Sequence, residues 1–265
     1  MADRPALLAQ RCGLVLGMSG RNSLSYHCAT TLRSFGAEVA VTYRPARRDT
    51  CAPLAEEAGC ILHFGVDADD EASLAAAVQA LDAAWGRLDF LIHTLVHVPA
   101  GVLARPLVEL TRHDFHAVMD SGVYSLILAC RHAAPLLERS PSPRVVALTS
   151  ASDRLMTPNY HVVGIAKAAL VAAVRYLAYE LGPRGILCNA VSFSLLPTDG
   201  AMRAVGAETA RATHAALARR APTRRALEFV HVTNTIAFLV SALCENMTGE
   251  VMTVDGGFAR TYLRG

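Results

Sequence analysis

The sequence predicts an α/β fold: a single-domain, doubly wound parallel sheet with helices on both faces. Three observations predict it. Short apolar runs alternate with longer helix-like segments from residue 12 to residue 254. The runs are continuously apolar, as in strands covered on both sides, whereas strands with one wet face alternate apolar and polar residues. No linker, low-complexity tract or repeat interrupts the alternation, so the 265 residues read as one domain, 1–265.

The elements follow in order. Residues 12–18 form the first strand candidate, and 19–29 turn into a helix. Residues 38–43 suit a second strand, 50–58 a helix, 60–65 a third strand, and 70–85 an Ala-rich helix. Residues 88–93 suit a fourth strand, 111–137 one helix, and 144–149 a fifth strand. The helix that opens near Tyr160 ends at Gly182-Pro183, a usual stop signal. A sixth strand at 186–192, a helix at 226–242 and a last strand at 250–254 complete the pattern. The stretch 193–225 is the exception. It is long for a connection, rich in Ala and Arg, and on the side where such sheets bind ligands, so it reads as a substrate lid.

Composition bounds the function. A net charge of +2 gives no general attraction to nucleic acid or membrane. The seven Cys include no C-x-x-C pair and lie in apolar segments, which suits reduced thiols and a cytoplasmic location. No uninterrupted apolar stretch reads as a membrane span, and the N-terminus has no signal-peptide pattern. The ten His are dispersed, and no spacing suggests a metal site.

Two groups of residues carry chemistry. The first is a set of ligand-side signals in chain order. Gly17 ends the first strand, and Ser23 opens the following helix in a Gly17-x5-Ser23-x-Ser25 pattern, a turn whose backbone N–H groups can approach a diphosphate. Arg44, Arg47 and Arg48 follow the second strand, where an acid would select NAD and an Arg accommodates a 2′-phosphate. Asp67, after the third strand, can accept from an adenine amino group. Together these favour a dinucleotide, with NADPH preferred and NADH possible. The second group is Tyr160 and Lys167, seven residues apart. At ~100° per residue they share one helix face, roughly 10 Å apart along the axis. A phenol and an ammonium so placed suit proton delivery beside a cofactor, although the spacing alone also suits an exposed amphipathic face.

These residues carry a resemblance. The chain resembles a divergent short-chain dehydrogenase/reductase of the enoyl-acyl-carrier-protein reductase branch, along essentially its whole length. The most specific part is Tyr160-x6-Lys167 within Pro-Asn-Tyr-x-Val-x-Gly-x-Ala-Lys-Ala; ordinary members of the superfamily place the Tyr four residues before the Lys, where this chain has Val163. The Gly17-x5-Ser23 turn, His93-Thr-Leu, the segment 175–185 and Thr248-Gly-Glu-x4-Asp255-Gly-Gly257 match in register.

The resemblance implies a Rossmann-type fold and reduction of a trans-2-enoyl thioester by hydride from NAD(P)H. By position it implies that Tyr160 bonds the thioester carbonyl and Lys167 the nicotinamide ribose. Gly17, Ser23 and Leu24 would form the diphosphate turn. Asp67 and Ala68 would flank adenine. Thr94, Leu95 and Leu196 would border the nicotinamide, Thr198 would reach the diphosphate, and Val98 would line the substrate pocket. It also implies an acyl carrier protein as partner and a homotetramer.

Several positions depart from the family pattern. Ser150 stands where a second Tyr is usual, and ordinary carbonyl-reducing members keep their catalytic Ser there. His27 replaces a small helix residue, Val96 and His97 replace a small residue and Phe, and Ser194-Leu195 replaces Gly-Pro. Two alternatives to enoyl reduction therefore stand: a carbonyl reductase using Ser150 and Tyr160, or a non-catalytic dinucleotide-binding protein.

Overall fold

The computed structural model of the chain describes residues 6–67 and 70–261. Strands and helices alternate: β1 Cys12–Met18, α1 Leu24–Ser34, β2 Glu38–Tyr43, α2 Arg48–Glu57, β3 His63–Gly65, α3 Glu71–Trp85 and β4 Phe90–His93. They continue as α4 Arg112–Met119, α5 Ser125–Leu137, β5 Arg144–Ser150, α6 His161–Leu181, β6 Leu187–Phe193, α7 Asp199–Val205, α8 Ala207–Arg220, α9 Phe229–Leu239 and β7 Val251–Val254.

Among the described residues seven strands form one parallel sheet in the order β3-β2-β1-β4-β5-β6-β7. The chain runs outward from β1 through β2 to β3, then crosses back to β4 and proceeds to the opposite edge. The carboxyl ends of β1 and β4 therefore part at a switch point, where such sheets bind ligands.

The continuous apolar runs are explained by two cores. On one face Leu14, Leu16, Leu91, Val145 and Ala147 pack with α3, α5 and α6 through Leu81, Leu126, Leu137, Leu170 and Val174. On the other, Val15, Val41, Ile92, Val146 and Val191 pack with α1, α2 and α9 through Cys28, Leu32, Leu54, Val232 and Ile236. Neighbouring residues of one strand thus point into opposite cores, which leaves no wet face to alternate for. All seven cysteines are buried and free.

The expected single helix over 111–137 is divided. α4 and α5 are joined by a π-helical turn, Asp120–Tyr124. Within it Ser121 Oγ donates to Ala117 O at 2.7 Å and accepts from His97 N–H at 3.0 Å. A Cβ on Gly122 would lie 3.4 Å from Val96 and 3.6 Å from Ala166 of α6. The extra residue in the turn lets the helix bend around the segment after β4. The third strand is also shorter than expected, three residues at the sheet edge.

α6 with the turn after it is long and apolar enough to cross a bilayer, but half of it is buried within this fold, as in a core helix.

Candidate active site

The turn between β1 and α1 is shaped by glycine. Gly17 has φ +98°, and a Cβ there would come within 2.5 Å of Leu95 Cδ2 and 3.0 Å of Thr94 Oγ1. The close approach brings the segment after β4 against the end of β1, and Thr94 Oγ1 donates to Leu16 O at 2.6 Å. Gly17 N–H donates to Thr42 Oγ1 at 3.1 Å, so β2 also holds the turn. Ser23 caps α1: its Oγ accepts from Tyr26 N–H at 3.3 Å and donates to Gly20 O at 2.7 Å. Leu24, the first helical residue, is buried. His27 does not push α1 off the sheet. It faces α9 and stacks on Phe229 with ring centres 3.9 Å apart.

The ends of β2 and β3 place the expected charges. Arg44 Nη2 lies 3.7 Å from Asp67 Oδ1. Arg47 Nη1 donates to Ser19 O at 3.1 Å, so it reaches the end of β1. The Asp67 side chain is 42% exposed, but its Oδ1 is buried and has no hydrogen-bond partner among the described residues. A buried acceptor without a donor is costly, and an adenine amino group would satisfy it. With the glycine-lined turn beside α1, these residues fit a dinucleotide. Ala68 lies outside the described residues.

Tyr160 is positioned by backbone strain. Asn159 has φ +54°, a left-handed conformation that Asn tolerates better than most residues. It reverses the chain into Tyr160, which is the N-cap of α6 rather than a residue inside the helix. Tyr160 O already accepts a helical bond from Gly164 N–H at 2.8 Å. The expectation of a strict helical spacing to Lys167 therefore holds only from His161 onward. His161 fixes this corner: its Nδ1 accepts from Val162 N–H at 2.8 Å, which leaves Nε2–H to donate to Arg105 O at 2.9 Å.

Lys167 is buried, and its Nζ donates to Leu148 O of β5 at 2.7 Å. Burial pulls the ammonium down to about 8, partly opposed by the carboxylate of Asp153. Burial pushes the Tyr160 phenol up to about 12, so it stays protonated at neutral pH. His93, fully buried at the end of β4, is held neutral at about 3, by burial first and the Lys167 charge second. Ser125 Oγ gives its proton to Ser121 O at 2.7 Å, so His93 Nε2–H is the donor in the 2.7 Å contact between them. Ser150 closes β5 with its Oγ 2.5 Å from Ser152 Oγ.

The chain fits one family over nearly its full length. Residues 17–259 match the family model described as enoyl-(acyl carrier protein) reductase. The chain belongs to the enoyl-(acyl carrier protein) reductase family. It is 32% identical over 259 residues to enoyl-[acyl-carrier-protein] reductase [NADH] 1 of Rhizobium meliloti, covering 97% of this chain and 93% of that protein. The enoyl-acyl-carrier-protein reductase of Anaplasma phagocytophilum, solved with NAD, superposes with a TM-score of 0.91 at 28% identity, covering 99% and 98% of the two chains. The Bacillus cereus enoyl-acyl carrier protein reductase, solved with NADP+ and an indole naphthyridinone, superposes at 0.90 with 28% identity, covering 97% and 99%.

In this member of the family the remaining expected residues fall as follows. Val98 is half-buried against the core that holds α6. Leu196 is buried, and its carbonyl accepts from Thr198 N–H at 2.8 Å. Thr198 caps α7, accepting from Ala201 N–H at 3.1 Å. The stretch expected as a lid is the helical pair α7 and α8. A cavity of about 310 Å³ lies beneath α8, lined in part by Ser194, Leu217, Ala221, Leu227 and Val254; Tyr160, Lys167 and Ser150 do not line it. Sequence reasoning missed Gly20, Asn22 and Asp199, which meet at the β1–α1 turn. No local pattern signals that meeting, because Asn22 and Asp199 are 177 residues apart.

Proposed function

We propose that this family member reduces the 2,3-double bond of an enoyl thioester borne on an acyl carrier protein or similar carrier, with NADPH preferred over NADH. The observation that carries the reading is a protonated phenol, Tyr160, at the head of the helix that bears the buried ammonium of Lys167. When bound, the dinucleotide supplies the hydride. Tyr160 O–H donates to the thioester carbonyl oxygen and strengthens that bond as enolate charge develops, a contribution of ~3 kcal/mol for such donors. Lys167 holds the nicotinamide ribose hydroxyls. Its charge, present at pH 7 because it titrates near 8, favours the anionic oxygen nearby. Gly17, Ser23, Leu24 and Thr198 hold the diphosphate, Asp67 the adenine amino group, and Thr94, Leu95 and Leu196 border the nicotinamide. Val98 borders the acyl chain. Ser150 is secondary, since its hydroxyl already has Ser152 as partner.

The preference for NADPH rests on Arg44 and Arg47, since a bidentate Arg–phosphate contact is open only to the phosphorylated cofactor. α7 and α8 act as the lid. Arg211, Arg219 and Arg220 are exposed on α8 and form a basic rim for an acidic carrier. Assembly into a tetramer uses two exposed apolar faces: Ile165, Tyr176 and Tyr179 of α6, and Phe115, Tyr124 and Ile127 of the α4–α5 segment. The buried free thiols suit a reducing cytoplasm.

The deciding experiment follows NADPH and NADH oxidation with crotonyl thioester and, in parallel, a β-ketoacyl thioester. Oxidation with the enoyl substrate is expected. Oxidation with the keto substrate alone would favour the carbonyl reductase that Ser150 permits. Cofactor binding with neither reaction would make the protein a non-catalytic binder.

A further inference from the structure

The first residue of α7 reaches back onto the turn that cradles a diphosphate. Asp199 Oδ2 accepts from Asn22 N–H at 3.1 Å, and Oδ1 accepts from the Asn22 side-chain amide at 3.3 Å. Asp199 N–H in turn donates to Asn22 O at 3.2 Å. A Cβ on Gly20 would fall 2.3 Å from Asp199 Oδ2, so the acid is packed directly on the glycine of the turn. Asn22 immediately precedes Ser23, the N-cap of α1. Backbone N–H groups before a helix are what a diphosphate uses. Here one of them already holds an anion that belongs to the lid.

Asp199 also has somewhere else to go. Arg203 stands one helical turn further along α7, at the spacing that allows a side-chain ion pair. The Arg203 guanidinium feels both the charge of Arg47 and that of Asp199. The carboxylate sits at the turn, with the guanidinium of its own helix near enough to attract it.

We propose that Asp199 gates the diphosphate turn: its carboxylate occupies the turn in the free protein and yields it to the dinucleotide, which releases the start of α7. The proposal rests on the dinucleotide reading above. A diphosphate and a carboxylate a few Å apart repel strongly at the effective dielectric of a protein surface. Cofactor binding therefore has to move Asp199, and α7 with it, so the lid responds to whether the cofactor is in place. The wild-type protein binds its cofactor less tightly than the turn alone would allow.

The test is fluorescence titration of NADPH and of NADH into wild type, Asp199→Asn, Asp199→Ala and, as a control, Glu208→Gln, which removes the same charge from the exposed first turn of α8. Both Asp199 variants should bind about tenfold tighter at low salt, and the gap should narrow toward 1 M salt, where the screening length falls to ~3 Å. Glu208→Gln should change affinity by less than about twofold. Hydrogen exchange gives a second reading. Amides of 199–205 should lose protection on adding NADPH to wild type and in free Asp199→Ala without it, whereas the Asn22 amide should lose protection only in the free variant, because the diphosphate takes it up in the complex. Unchanged or weaker binding in both Asp199 variants, or exchange of 199–205 that ignores cofactor and substitution alike, overturns the gate. If wild type binds neither dinucleotide, the functional reading fails and the gate falls with it; if wild type binds and only the variants disappoint, the gate alone is wrong.

Discussion

Replacing Lys167 by Met should make the free protein more stable while removing its hold on the cofactor. Lys167 is buried, and among the described residues its Nζ hydrogen-bonds only Leu148 O, at 2.7 Å. Burial brings the ammonium from its ordinary 10.5 to about 8. At about 1.4 kcal/mol per unit, holding that charge in the fold costs about 3 kcal/mol below pH 8. Met keeps the length of the chain and carries no charge. It leaves Leu148 O without this donor, a loss of about 1 kcal/mol. The net expectation at pH 7 is a gain of about 1–2 kcal/mol, a few degrees in Tm for a chain of this size.

The pH dependence has a definite sign. Below pH 8 the amine is charged in folded and unfolded protein alike, and the full cost is present. Between 8 and 10.5 the folded state loses its proton first, so wild-type stability rises relative to the variant. Above 10.5 the difference stops changing. Denaturant melts of both proteins without cofactor, at matched concentration from pH 7 to pH 11, read this directly. A variant less stable than wild type at pH 7, or a stability gap that stays constant from pH 8 to 10.5, would refute the reasoning.

Three other outcomes are expected. Tyr160→Phe should lower turnover roughly a hundredfold and leave cofactor affinity within about twofold, since only the carbonyl donor is lost; fluorescence titration beside steady-state kinetics separates the two. Ser150→Ala should change kcat/KM for an enoyl thioester by less than about threefold, because the hydroxyl already bonds Ser152; a large loss accompanied by ketone reduction would move the assignment to a carbonyl reductase. Arg44→Ala with Arg47→Ala should reduce the NADPH-to-NADH ratio of kcat/KM about tenfold or more, the worth of one charge-assisted phosphate contact, and a ratio that does not move would remove both arginines from the 2′-phosphate site.

Much of the fold was legible in the chain. Runs such as Val145–Leu148 are apolar at every position because successive side chains enter opposite cores, and that requirement marks a doubly covered strand without knowledge of its neighbours. Gly17 was legible as the end of β1, and Ser23 as the residue that opens α1, because turn and cap chemistry are local. Tyr160 and Lys167 stood out as candidates because a fixed spacing on one segment is a statement about the sequence itself.

What the tertiary structure decided was where distant atoms meet. Tyr160 became a cap rather than a helical residue through the left-handed Asn159 and the bond of His161 to Arg105 O, 56 residues away. The long helix over 111–137 gained its π-helical turn where Gly122 passes Val96 and Ala166. His27, standing where the family has a small residue, found its room by stacking on Phe229 of α9. Asp199 found Asn22 across 177 residues. Period, propensity and capping are properties of a few neighbouring residues and survive in the sequence. A contact between two loops depends on the sheet order that brings them together, and on which donors that packing leaves unpaired, so it exists only once the chain has folded.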